Sequence, residues 1–227
     1  MVDRSGHELA TRMAELARAP AGRRTTEEVL AEVSATAVEL IPGADTAGVL
    51  LIRRNGFESL GGTTDIPERL DELQVSYDEG PCIQAAVADV VVRTDDFRTE
   101  TRWPKYSPAV VEIGVLSGIS FKLFTAEKTA GALNLFGYQP HVWDGDALTV
   151  GSVLAAHATA AILANEHGHQ LETALLSRDR IGQAKGIIME RYDVDDVRAF
   201  DMLRQLSQES NVKLADIAQR VIDSRGH

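Results

Sequence analysis

A chain of 227 residues with 44% hydrophobic and 25% charged content has the composition of an ordinary globular protein, long enough for one large domain or two modest ones. Its single cysteine, Cys82, excludes an internal disulfide and any multi-cysteine zinc site. The formal net charge of −11 excludes a nucleic-acid surface spread over the whole chain, because phosphate binding needs local positive charge.

Residues 7–19 place Leu9, Met13, Leu16 and Ala17 at helical spacing, and Pro20-Ala21-Gly22 ends that helix. Thr25 and Thr26 followed by Glu28 form an N-cap signal for a second helix through Leu40, closed by Pro42-Gly43. Residues 47–53 read as a buried strand, Asn55-Gly56 as a tight turn and 57–60 as the partner strand. A short amphipathic helix follows at 67–74, then helices at 80–88 and 104–113 on either side of a strand at 90–94. Residues 118–124 and 130–138 read as a hairpin across Glu127-Lys128, with Leu133 and Leu135 alternating against Asn134 and Phe136. From Asp144-Gly145-Asp146 a capped, Ala-rich helix meets no Gly or Pro until Gly168, which is expected to interrupt it. Residues 177–192 form the next helix. Another starts at Asp193 or Asp195, with Val197, Phe200, Leu203 and Leu206 at core spacing, and Ser210-Asn211 breaks it. The last runs over 214–222 on Leu214, Ile217, Ala218 and Val221.

This order predicts an α+β chain: an antiparallel sheet flanked by helices, a helical connector, and a small three-helix bundle. The polar N-terminus has no signal-peptide core, and no apolar run approaches the ~18 residues that span a bilayer. The expected compartment is the cytoplasm, with no membrane partner.

Charge divides unevenly along the chain. Residues 171–227 hold nine Lys+Arg against ten Asp+Glu, leaving fourteen against twenty-four in residues 1–170. Acidity therefore concentrates outside the C-terminal helices, where it would repel a polyanion from the wrong surface. On the 177–192 helix, Arg178, Ile181, Gly182, Lys185, Met189 and Tyr192 share one face, and Arg180, Ala184, Ile187 and Arg191 share the opposite one. Cations on both sides of apolar stripes suit a helix that packs on its neighbours while offering Arg and Lys to phosphate. A merely solvated face is the bland alternative.

The string Ser177-Arg178-Asp179-Arg180-Ile181-Gly182-Gln183-Ala184-Lys185-Gly186-Ile187-Ile188-Met189-Glu190-Arg191 resembles the first helix of the ANTAR family. ANTAR domains are small helical RNA-binding modules of bacterial transcription antiterminators. The similarity continues through Ala199-Phe200-Asp201-Met202-Leu203-Arg204 and Leu214-Ala215-Asp216-Ile217-Ala218. The resemblance implies that paired modules grip two RNA hairpin loops and prevent a terminator from forming. Residues placed toward RNA are Arg178, Arg180, Gln183, Lys185, Arg191, Tyr192 and Arg204. Residues 211–222 also resemble part of a DNA-reading helix-turn-helix, but Asp216 and Asp223 against Arg220 suit a major groove poorly.

Upstream, Asp78-Glu79-Gly80-Pro81-Cys82, residues 91–96 with Trp103-Pro104, Gly131-Ala132-Leu133-Asn134-Leu135 and His157-Ala158-Thr159-Ala160-Ala161-Ile162 resemble the GAF family, a ligand-binding and dimerising sensor fold. The expected division is an N-terminal helix at 1–24, a GAF-like sensor at 25–165, a connector at 166–176 and an ANTAR-like reader at 177–227. A GAF pocket lies between the sheet and the elements on one face; Cys82, Asp96, Trp103, Phe121 and Asn134 are the candidates to line it. Each also has a plainer role, as buried thiol, N-cap, packing residue or strand residue. The sequence does not identify a cofactor or the ligand of that pocket.

Some GAF relatives reduce free methionine sulfoxide, but that chemistry needs a thiolate and usually a resolving thiol, and Cys82 has no internal partner. His141, His157, His167 and His169 lack a matching carboxylate arrangement, so no metal or catalytic residue is assigned. Leu154, Ala161, Leu171 and Leu175, with His157 and Ala164 between, follow a seven-residue spacing expected to pair two chains in a homodimer. The sequence therefore reads as a ligand-sensing, RNA-binding regulator. A redox enzyme on the GAF fold and a ligand-controlled DNA binder are the alternatives.

Overall fold

The computed structural model describes residues 9–15, 24–53, 56–87, 90–124 and 129–224. The chain divides into two units, Met1–Asn165 and Glu166–His227. In the first unit, residues 9–15 form helix α1. There follow α2 (Thr26–Leu40), β1 (Thr46–Arg53), β2 (Gly56–Leu60), α3 (Ile66–Tyr77), α4 (Pro81–Val87), β3 (Val91–Thr94), α5 (Tyr106–Ile113), β4 (Ser117–Phe124) and β5 (Thr129–Gly137). The unit closes on the first part of α6 (Gly145–Tyr192). The expected turns at Pro20-Ala21-Gly22, Asn55 and Glu127-Lys128 lie outside the described residues.

Local chemistry explains the helix starts. Thr25 accepts from the Glu28 amide at 3.2 Å while its own amide donates to Glu28 Oε2 at 2.8 Å, a reciprocal cap on α2. Asp144 Oδ1 accepts from the Ala147 amide at 2.8 Å and opens α6.

The strands form one sheet in the order β2-β1-β5-β4-β3, with every neighbouring pair antiparallel. Because side chains alternate along a strand, Leu133 and Leu135 of β5 point to one face and Ala132, Asn134 and Phe136 to the other. The first face is aliphatic. Leu30, Val33 and Ala37 of α2 and Val150, Leu154, Ala158 and Ile162 of α6 pack there against Val49, Ile119, Phe121 and Leu133. Each large side chain buried in this way contributes ~1.5–3 kcal/mol. A Cβ on Gly151 would lie 2.1 Å from Phe121 Cζ, so only glycine lets α6 approach the sheet this closely.

Three expectations about α6 are corrected. The stretch Gly145–Asn165 has 21 residues of mean hydropathy 1.7, long and apolar enough by length and composition to cross a membrane. Its buried Leu154, Ala158 and Ile162 belong to the sheet core, and 39% of the apolar window is buried. This burial also removes Leu154 from any seam between chains. Nor does Gly168 end the helix, which runs unbroken from Gly145 to Tyr192 through Gly168, Gly182 and Gly186. A glycine costs a helix only about 1 kcal/mol relative to alanine, too little to break one of 48 residues.

The second unit comprises the rest of α6 with α7 (Asp196–Ser210) and α8 (Leu214–Asp223). Asp195 caps α7 through the Arg198 amide at 2.8 Å, and Asn211, left-handed at φ 52°, ends it. Ala184, Ile188, Ala199, Leu203, Ile217 and Ala218 form the core. Here the expected α7 stripe is wrong in three of its four members. Val197 is 70% exposed, Leu206 47% and Phe200 38%. Small Ala184, Ala199 and Ala218 draw the helices together, which buries the side of α7 carrying Ala199 and Leu203. Val197 and Phe200 lie on helix sides turned away from Ala199, and Leu206 runs past the end of this small core.

Candidate functional site

The second face of the sheet is built differently. Helix α3 buries Pro67, Leu70, Asp71 and Gln74, the i, i+3, i+4, i+7 spacing of a core stripe with polar residues in its last two places. The Asp71 carboxyl accepts from Ser59 Oγ at 2.8 Å, Gln74 Nε2 at 3.2 Å and Asn134 Nδ2 at 3.3 Å. Burial pushes it up to about 7 against the pull of these donors, and the charge of Glu68 adds to the push. Nearby, Tyr106 Oη, Ser120 Oγ and Asn134 Oδ1 are buried with no hydrogen-bond partner among the described residues. Ser120 and Gly48 flank Asn134 across the sheet. Unpaired buried polar atoms cost ~1–3 kcal/mol each, so this face holds energy that a proton or a polar partner could release.

The segment 78–82 assembles the cluster. Asp78 takes the left-handed conformation that ends α3, at φ 53°. Glu79 Oε2 accepts from the Lys105 and Tyr106 amides at 2.8 and 3.1 Å, tying down the start of α5. Gly80, at φ 134°, sits where a Cβ would meet the Gln74 side chain at 2.5 Å. Pro81 opens α4, and the Cys82 amide donates to Gln74 Oε1 at 2.8 Å.

Of the five pocket candidates, only Cys82 and Asn134 reach this cluster. Trp103 stands beside it in an aromatic trio, its ring 6.2 Å from Tyr106 and 6.5 Å from Phe97, with the Arg102 guanidinium 4.4 Å above it. Asp96 lies apart, paired with Arg98 at 2.7 Å, and its hydrogen bonds from Arg98 hold it below the usual carboxylate range. Phe121 belongs to the opposite face, against α6, because the alternation of β4 sends it there with Ile119 and Leu123. Asp71, Gln74 and Tyr106 were missed from sequence, although two polar residues on the apolar spacing of α3 were the available signal.

In the second unit, Arg178, Gln183 and Lys185 line an open groove of about 800 Å³ together with Ile181, Gly182 and Phe200. Lys185 forms an ion pair with Asp196, and its Nζ lies 6.0 Å from the centre of the Phe200 ring. Arg180, Arg191 and Tyr192 are exposed outside this groove, and Arg204 is exposed and pairs with Asp201 at 3.1 Å. The structure therefore brings three of the seven expected RNA-facing residues to one place.

The GAF domain model matches residues 23–163, and the ANTAR domain model matches residues 169–222. The chain belongs to the GAF family, with an ANTAR domain behind the GAF domain. No curated protein matches it. Among solved structures it is similar to the GAF domain of a phosphoenolpyruvate-protein phosphotransferase from Coxiella burnetii. That match has 17% identity and a TM-score of 0.58, over 73% of this chain and 96% of that one. The GAF domain of the Acinetobacter phosphoenolpyruvate-protein phosphotransferase matches at 14% identity and a TM-score of 0.52, over 76% and 99%. The free methionine-R-sulfoxide reductase of Neisseria meningitidis matches at 15% and 0.53, over 74% and 95%. These likenesses establish the fold.

Within this GAF domain, Cys82 is 2% exposed between Leu50 and Ala132. Burial, and then the charge of Asp71, pushes its thiol above the usual range. Among the described residues, no three His, Cys, Asp or Glu gather as a metal site. GAF and ANTAR together make the chain a sensory regulator with an RNA-binding output.

Proposed function

We propose that the protein regulates transcription antitermination: the GAF domain registers a small molecule, and ANTAR domains of two chains read hairpin loops in nascent RNA. The gathering of Arg178, Gln183 and Lys185 around one groove of the ANTAR domain carries this reading. Cations there meet phosphate and an amide meets base edges, the mixture that loop recognition uses. The buried Asp71–Asn134 cluster supports the sensory half, since a polar ligand that pairs Tyr106, Ser120 and Asn134 stabilises the domain. Leu171 and Leu175, 64% and 54% exposed on α6, support pairing of chains along that helix. Action on nascent transcripts places the protein in the cytoplasm. Rival readings have less support. A reductase shares only the fold and must use a buried Cys82 whose thiol is pushed above the usual range. A DNA reader must present α8, whose exposed residues include Asp216 and Asp223.

The test is binding of the full chain to hairpin RNA selected from a randomised-loop pool, against duplex DNA, across a salt series. Lys185→Ala is expected to weaken RNA binding and lower the slope of log K against log salt by about one. Equal affinity for duplex DNA defeats the RNA assignment, and turnover of free methionine sulfoxide that disappears in Cys82→Ser reinstates the enzyme.

A further inference from the structure

We propose that Phe200 is a base-stacking platform: an unpaired base of the bound RNA lies on its exposed ring while Arg178 and Lys185 hold the adjoining phosphates. The inference rests on the RNA-binding function proposed above and adds to it a residue that reads bases rather than backbone. Phe200 has the spacing of a core residue, yet the small alanines of this unit turn it outward, 38% exposed, into the groove of about 800 Å³. Gly182 also lines the groove, and among the described residues nothing lies within 4 Å of where its Cβ would be. That leaves room for a flat ring. Lys185 Nζ stands 6.0 Å from the ring centre, at the edge of cation–π range, and Arg178 lies on the same rim. Asp179 also lines the groove and Asp196 pairs with Lys185, so the rim is of mixed charge around an aromatic ring, which matches a strand with splayed bases better than an apolar peptide. Gln183, also lining the groove, supplies donors and an acceptor for a base edge. Tyr192, the other exposed aromatic of this unit, is outside the groove.

Stacking and phosphate contact separate experimentally. Phe200→Leu keeps apolar bulk but removes the π face, whereas Phe200→Tyr and Phe200→Trp keep it. With a hairpin selected from a randomised-loop pool, the full-length Phe200→Leu chain should bind about ten-fold more weakly, with the salt slope unchanged because no phosphate contact is lost. Phe200→Tyr and Phe200→Trp should restore the affinity. An abasic scan of the loop should find a position where base removal weakens the wild type about ten-fold but leaves Phe200→Leu unaffected, the signature of a coupled pair. The scan on unmodified protein tests the proposal even if a variant folds poorly: no base-dependent loop position overturns it. Equal affinity of Phe200→Leu and wild type also overturns it, as does failure of both aromatic variants to rescue, or an effect of Phe200→Leu confined to self-association. A wild-type chain that selects no hairpin defeats the RNA function itself, a separate outcome.

Discussion

The two faces of the GAF sheet are made from the same five strands and do opposite things. Against α2 and α6 the strands send Val49, Ile119, Phe121, Leu133 and Leu135 into a dry aliphatic layer. Against α3, α4 and α5 the intervening residues mix apolar Leu50, Ala132 and Phe136 with Gly48, Ser120 and Asn134, beneath the buried Asp71 carboxyl and the Tyr106 hydroxyl. Hydrophobic burial on the first face stabilises the fold. The second face forgoes some of that stability by holding polar groups out of water, and a site whose state changes with ligand or proton needs that kind of bias.

The comparison is sharpened most by Asp71→Asn. A carboxyl raised from 3.8 to about 7 on folding supports stability below its unfolded pKa and loses that support as pH rises through about 7. The gap between Asp71→Asn and wild type is therefore expected to be small near pH 4 and to open, in favour of the variant, to on the order of 4 kcal/mol by pH 8. Urea unfolding at pH 4, 6 and 8 measures it, and parallel curves for the two proteins break the account of the polar face. On the aliphatic face, Leu133→Ala should cost about 3 kcal/mol with little dependence on pH, because it opens a cavity in an aliphatic layer. A pH-dependent cost there would erase the distinction between the faces. The smallest effect belongs to Ser120→Ala. Removing an unpaired hydroxyl should stabilise the domain by about 1 kcal/mol in thermal unfolding. A loss of stability instead would mean that Ser120 is satisfied in the native protein.

Local chemistry made most elements legible in the sequence. The Thr25–Glu28 cap, the alternation of β5 and the Asn211 stop are decided by residues close in the chain, and the structure shows each where the sequence predicted it. The GAF and ANTAR strings were legible for the same reason, and the domain models match them. Tertiary packing decided the rest. Whether Asp71 on an apolar spacing is a surface residue or the centre of a buried network depends on Asn134 and Ser59, sixty-three residues after it and twelve before it. Phe121 and Asn134 fall on opposite faces because strand register assigns sides, and register is a property of the assembled sheet. Phe200 faces out because three alanines on three helix segments draw together at its expense. Periodicity tells which residues share a side of a helix, but only the partner helices determine which side is buried.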